Sequence, residues 1–297
     1  MDNIQRIVQG VLRFIRQLFG DPQTAVGTTI VLLFLFLAFF GNALAPYGAN
    51  ETGDIPVSAA PSTQHPFGTD TLGRDVFSRV MIGTSSIFQK AGLGTLLAVL
   101  IGTVIGLYIG YQGGWIDEAT SRVIDALLAM PALLLALVIL GVIRNLSLEQ
   151  GSLQFLLARN SVLLVIAVVY VPIVARVVRS STLEIKTREF VQAARIRGES
   201  LGYILFREIF PSVVPTLVVE ASLRFSYAIF LVAALGFLGI GANPPTPDWG
   251  LMVEEARGGN YNIAPWALNF PAAAIALLVV GVNLMSDGIK NIVQKSE

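Results

Sequence analysis

The chain has no cysteine and a single histidine, His65, in 297 residues. Without thiols it can form neither a disulfide framework nor a thiolate metal site, and one imidazole is too few for a His-rich centre. Charge is scarce too: charged residues are 13% of the chain, against roughly 25% in an ordinary soluble domain. Lys+Arg and Asp+Glu balance at 20 each, so no overall basic field points to nucleic acid. Only four lysines occur (Lys90, Lys186, Lys290 and Lys295) and none follows a glycine, which excludes a Gly-x-x-x-x-Gly-Lys-Ser/Thr phosphate loop. Neither a metal site nor a catalytic nucleophile–base pair is found.

What is abundant is apolar sequence. Hydrophobic residues make up 54% of the chain and mean hydropathy is +0.69. A helix rises 1.5 Å per residue, so crossing roughly 30 Å of hydrocarbon takes about 20 apolar residues. Charge-poor windows of that length predict six membrane helices near residues 24–45, 90–111, 123–143, 160–179, 213–240 and 267–288. The fourth must borrow Val177 and Val178 beyond Arg176, and the fifth must carry Glu220 and Arg224. The first block is too long, and too far from the start, for a cleaved signal peptide. The expected fold is an all-α integral membrane protein.

Lys and Arg set the orientation. With the N-terminus cytoplasmic, thirteen fall in inside segments and six in outside loops, so both termini are expected inside. The organisation then reads as an amphipathic N-terminal segment (1–23), a first span (24–45), an outside loop (46–88), a core (89–290) and a tail (291–297). Residues 4–19 line Ile4, Ile7, Val8 and Val11 along one stripe opposite Arg6, Arg13 and Arg16. That stripe suits a helix lying in the inner membrane interface, against lipid, or a helical extension packed on the protein. The long loop is expected to be functional or disordered, with His65 as a surface turn residue. In the second span Ala98, Gly102, Gly106 and Gly110 recur every four residues, a face that lets a neighbouring helix approach closely. Glu220 and Arg224, an i,i+4 pair with the acid first, either line a translocation path or neutralise each other structurally.

One charge-rich stretch interrupts this pattern: EFVQAARIRGESLGYILFREIFP, residues 189–211. It reads as two short amphipathic helices hinged at Gly198 in a cytoplasmic loop over 187–211. Thr187 is the expected N-cap, and Glu189 sits in the first turn where the helix dipole favours an acid. Ala193 and Ala194 offer a small-sided surface to a partner, and Gly198 ends the first helix. Leu201, Ile204, Leu205 and Ile209 share one face of the second, which Pro211 and Pro215 are expected to break before the fifth span. Such an elbow suits a membrane protein that receives force from a soluble partner.

The elbow resembles the "EAA" loop of ABC-importer permeases. Gln192-Ala193-Ala194, Gly198 and Ile209-Phe210-Pro211 follow its pattern, with Gln192 where the pattern has glutamate and Phe210 where it has leucine. His65-Pro66-Phe67-Gly68-Thr69-Asp70, Gly73-Arg74-Asp75 and Ser78-Arg79 resemble a block of the C-type permease of dipeptide, oligopeptide and nickel importers. Phe237 through Gly241, Pro244 through Pro247, Trp249-Gly250, Pro265-Trp266, Asn283 and Asp287-Gly288 continue the likeness to about residue 290. Many members carry glutamate where this chain has Val232.

The resemblance implies a six-span type I importer permease with a cytoplasmic coupling elbow. It would pair with a homologous second permease, two ATP-binding subunits and an extracytoplasmic solute-binding protein, in a bacterial inner membrane. ATP and Mg would sit on the partners, with no cofactor on this chain. Glu189, Gln192, Ala193, Ala194, Gly198, Leu201 and Pro211 would couple to the ATPase. The cargo class would be peptides, nickel chelates, opines or similar small solutes. A secondary transporter or channel subunit is the rival reading. It would call for midplane polar breaks or rings of ionisable groups, and the spans offer little beyond Asp125, Glu220 and Arg224.

Overall fold

A computed structural model describes residues 16–53, 55–144 and 160–294. Those residues are almost entirely helical, with one isolated bridge between Thr69 and Asp75. Residues 4–15 of the amphipathic N-terminal stripe lie outside the described residues. Five helical segments are long and apolar enough to cross a membrane: Pro22–Leu44, Val76–Gln112, Ser161–Ile185, Leu201–Phe237 and Trp266–Gln294. A bent pair makes up to six. The chain forms two compact units, one of residues 1–89 with 229–297 and one of residues 90–228.

In the first unit, α1 (Pro22–Leu44) starts at Asp21, whose carboxylate accepts from Thr24 N at 3.0 Å, with Pro22 at the first helical position. It packs on α2 (Val76–Ile87) and on the last helix of the chain. Gly41 lies so close to α2 that a Cβ there would stand 2.6 Å from the Met81 carbonyl oxygen.

The second span starts earlier than its charge-free window suggests, inside the segment read as loop. Asp75 caps α2 by accepting from Ser78 N at 2.7 Å. Arg79, which falls in the outside loop when the span is counted from the charge-free window after Lys90, is inside the helix and fully buried. A five-residue π turn, Phe88–Gly92, leads into α3 (Leu93–Gln112).

In the second unit, α3 packs lengthwise on α6 (Ser161–Ile185). Its small-residue face is what permits this. A Cβ at Gly102 would fall 2.7 Å from Val174 Cβ, and one at Gly106 would fall 2.6 Å from the Ala175 carbonyl oxygen. The fourth span runs to Ile185, well past residue 179, because Arg176 and Arg179 find carboxylates instead of ending it.

The third span is not the continuous helix expected over 123–143. It is α4 (Gly114–Leu128) and α5 (Ala132–Arg144), bent by 93° around Ala129–Pro131. Pro131 has no N–H to give and disfavours helical geometry at Met130, so the chain turns there. Both acids of α4 that face α6 are paired. Asp117 takes Arg179 in a fork at 2.5 and 2.7 Å, and Asp125 pairs with Arg176.

Candidate functional site

The elbow begins with α7 (Glu189–Ile196). Its N-cap is Arg188, with extended backbone and no side-chain cap, rather than Thr187, whose hydroxyl donates to the Glu184 carbonyl at 2.8 Å. The helix ends as a complete Schellman motif. Gly198 N donates to Arg195 O at 3.0 Å and Glu199 N to Ala194 O at 3.2 Å, with Gly198 at φ +76°. A side chain at 198 would meet nothing within 4 Å, so the glycine answers to backbone geometry and not to space.

The second arm does not stop before the fifth span. Ser200 caps a single turn, α8 (Leu201–Tyr203), and a π segment, Ile204–Ile209, runs into α9 (Phe210–Phe237). Pro211 and Pro215 lie within the continuous 37-residue helical segment that begins at Leu201. Proline breaks an α-helix because its ring meets the carbonyl one turn back. A wider π turn immediately before Pro211 relieves that conflict. The second arm is thus continuous with a span.

Burial divides the elbow into an inner and an outer face. Val191 and Ala194 of α7, with Ile204, Leu205 and Ile209 of the π segment, join Leu107, Val174, Val178, Val213 and Leu217 in one buried cluster. Ala194 is fully buried, so it belongs to the core and not to the small-sided surface expected of it. Ala193, Glu189, Gly198, Leu201 and Pro211 are exposed, and Gln192 is half-buried, its amide donating to the Lys186 carbonyl at 3.0 Å. Four exposed apolar side chains were missed: Phe190, Ile196 (87% exposed), Tyr203 and Phe206. The signal for α7 was there, since Phe190, Ala193 and Ile196 recur every three residues opposite Val191 and Ala194. Basic side chains at Arg188, Arg195 and Arg197 stand exposed among them.

The two other residues singled out, Glu220 and Arg224, face each other on α9 at 2.7 Å, with both side chains largely buried. The N–H is not aimed along that contact, so this is an ion pair and not an aligned hydrogen bond. The guanidinium also lies 4.8 Å from the Tyr227 ring centre and 5.9 Å from that of Tyr170 on α6. The charges neutralise each other inside the second unit, so the arrangement favours the structural reading of this pair.

Near the start of α2 the described residues of the segment 46–75 form a folded cap, not a disordered loop. His65 is buried, against the surface position expected of it, with Nδ1 2.9 Å from Asp75 Oδ1 and its ring 5.0 Å from that of Tyr47. Phe67 stacks on Phe270 at 3.9 Å, and Trp266 Nε1 donates to Thr69 O at 2.8 Å. No group of three or more metal-ligating side chains occurs among the described residues.

Five described helical segments are long and apolar enough to cross a membrane, and one of them is continuous with an elbow whose outer face is exposed and partly apolar. The chain belongs to the family of binding-protein-dependent transport system inner membrane components, which matches residues 102–296. It is similar to a dipeptide transport system permease protein of Alkalihalophilus pseudofirmus, 37% identical over 276 residues (93% of this chain, 86% of the relative). A glutathione transport system permease protein of Pectobacterium atrosepticum is 38% identical over 280 residues, covering 94% of this chain and 87% of the relative. One from Escherichia coli O1:K1 is 39% identical over 262 residues, 88% of this chain and 82% of the relative. The chain is accordingly an all-helical ABC-importer permease subunit of a bacterial inner membrane, whose ATPase is a separate subunit.

Proposed function

We propose that this permease moves peptides or similar small solutes inward, driven by two ATP-binding subunits that grip the elbow over 187–211. A homologous second permease completes the pathway, an extracytoplasmic solute-binding protein delivers the cargo, and both termini are cytoplasmic. The chain itself carries no cofactor; ATP and Mg belong to the partner subunits. The peptide reading rests on the dipeptide and glutathione permeases to which the chain is similar. The orientation rests on the Lys/Arg excess that the elbow side carries.

One observation supports the coupling role above the others. The outer face of α7 is apolar and exposed at Phe190, Ala193 and Ile196, while its inner face is sealed into the core of α3, α6 and α9. An ATPase that holds the outer face therefore holds the spans through packed side chains. A ligand or partner shifts a two-state equilibrium only through differential binding, so the grip must differ in energy between the inward- and outward-open states. Gly198 and Pro211 shape the elbow, Glu189 and Gln192 flank its docking face, and Leu201 continues that face into the second arm.

The test is Ile196→Asp in the complete transporter reconstituted in liposomes. The variant is expected to insert normally, lose its ATPase subunits on purification and transport at under about one hundredth of the parent rate, because a carboxylate replaces an apolar contact at the centre of an interface. Undiminished ATP-dependent uptake would refute the coupling role, and uptake without nucleotide would favour a secondary transporter.

A further inference from the structure

The second unit holds a helix whose place is fixed less by packing than by charge. Of the fifteen residues of α4, only Asp117 and Ile124 are buried. Ile124 meets Ile109 of α3 and Ala175 of α6 in a small buried cluster. By contrast, α3, α6 and the elbow share the large apolar cluster around Val178 and Ile204. A close-packed core moves as a block, whereas a thinly packed helix can shift against it without repacking it.

Both ends of α4 are joints. Gly113 and Gly114, left-handed at φ +67° and +64°, link it to α3, and a Cβ at 114 would meet nothing within 4 Å. Glycine holds that conformation without strain and leaves the link free to swing. At the other end lies the 93° bend before α5. Beside the glycine joint, by contrast, the helices are fastened. Lys186, which follows α6, donates from Nζ to the Gly110 carbonyl near the end of α3 at 2.8 Å, and its own carbonyl accepts from the Gln192 amide of α7. The last carbonyls of a helix lack partners within it, so this lysine joins α3, α6 and the elbow in one node.

Two ion pairs tie α4 to α6, and they differ. Near the glycine joint, buried Asp117 takes Arg179 in its fork, and Ser121 Oγ donates to the same carboxylate at 3.4 Å. Near the bend, Asp125 pairs with Arg176, and these side chains are 59% and 49% exposed. A forked, half-buried pair fixes a position, whereas a pair open to water is broken and remade at little cost.

We propose that Asp125 and Arg176 are positioning residues for coupling, a role that rests on the elbow being gripped by the ATPase subunits. They form a latch that closes the far end of α4 onto α6 in one state of the cycle and releases it in the other. Asp117 and Arg179 are the pivot. Movement of the grip on α7 reaches α6 through the Lys186 node and shifts Arg176 against Asp125, so that α4 swings about its glycine joint and takes the bend with it. A contact made in one state and absent from the other biases the equilibrium between them.

Asp125→Ala, Arg176→Ala and the exchanged double variant Asp125→Arg/Arg176→Asp are each reconstituted as the complete transporter in liposomes, and ATP hydrolysis, uptake and melting temperature are measured. Each single variant is expected to keep its ATPase subunits, melt with the parent and hydrolyse about fivefold more ATP per solute taken up, a bias of about 1 kcal/mol that an exposed pair can supply. The exchange rebuilds the pair and should return that ratio to within about twofold of the parent. Asp117→Ala, which removes the pivot, should instead melt lower and lose hydrolysis and uptake in step. Single variants at the parent ratio, single variants that shed their ATPase subunits or whose hydrolysis and uptake fall together with melting temperature, or an exchange that recovers nothing would each overturn the latch and leave ATP-driven transport standing. Uptake by the parent without ATP would overturn the coupling reading beneath it.

Discussion

The elbow over 187–211 and the cap over 46–75, taken with the first turn of α2, both carry charge beside the apolar spans, and they use it in opposite ways. The cap buries it. Asp75 and Arg79 are fully buried and His65 nearly so, each fixed by several partners. The elbow displays it. Arg188 pairs with Glu184 at 3.0 Å on exposed side chains and exposed Arg197 pairs with partly buried Glu199 at 3.4 Å, while apolar residues stand in the open between them. A buried ionic network fixes geometry at a desolvation cost, whereas exposed pairs add little stability and leave a face free for a partner. The cap is built to stay put, and the elbow is built to be held.

The sharpest way to break this contrast is Asp75→Ala. That carboxylate caps α2 through Ser78 N and accepts from or pairs with buried His65. Its loss strands two buried partners and removes a helix cap, together worth about 3 kcal/mol of stability. The melting temperature of the purified subunit in detergent should fall, with transport lost in proportion to folded protein. A variant that melts like the parent would show that the cap is not held by its buried charges.

A smaller effect is expected at the hinge of the elbow. Gly198→Ala meets no neighbour within 4 Å, so its cost is the left-handed backbone alone, about 1 kcal/mol. Because α7 and the π segment share one buried cluster, that strain is expected to be absorbed without unfolding the elbow. Thermal melting and ATPase co-purification, measured side by side, separate strain from detachment. A cost above about 3 kcal/mol would mean that 198 is packed, contrary to the open space around it.

Much of this was legible in the chain itself, for definite reasons. Long apolar windows are a strong signal because a helix satisfies its backbone bonds internally and so can cross lipid, and Gly198 declares a helix end because a left-handed position suits glycine best. What hid was decided by pairing. Arg176 and Arg179 sit at the edge of the fourth apolar window and Arg79 falls outside the second, yet the partners that allow them inside helices, Asn50, Glu255, Asp125 and Asp117, are 29 to 176 residues away in sequence. Pro211 looked like a terminator because a π turn before it leaves no mark in composition. Ala194 and Ala193 are adjacent and identical, and only helical phase against Val191 separates the buried one from the exposed one. His65 was placed at the surface because its acceptor, Asp75, follows a turn that periodicity does not read.

The finest test of the contrast is Arg197→Ala. Arg197 closes the first arm of the elbow and reaches Glu199 at 3.4 Å and, in the second arm, Glu208 at 3.3 Å. With the arginine side chain 52% exposed, water screens both contacts, and such pairs contribute at most about 0.5 kcal/mol. If hydrophobic packing of Val191, Ala194, Ile204 and Ile209 fixes the angle between the arms, the variant should melt within a degree or two of the parent and keep its ATPase subunits. Raising the salt concentration should narrow even this small difference, because exposed ion pairs weaken as ionic strength rises. A loss above about 1.5 kcal/mol, restored by Arg197→Lys, would instead mean that the elbow is fixed by charge as the cap is, and the division of labour between the two segments would fail.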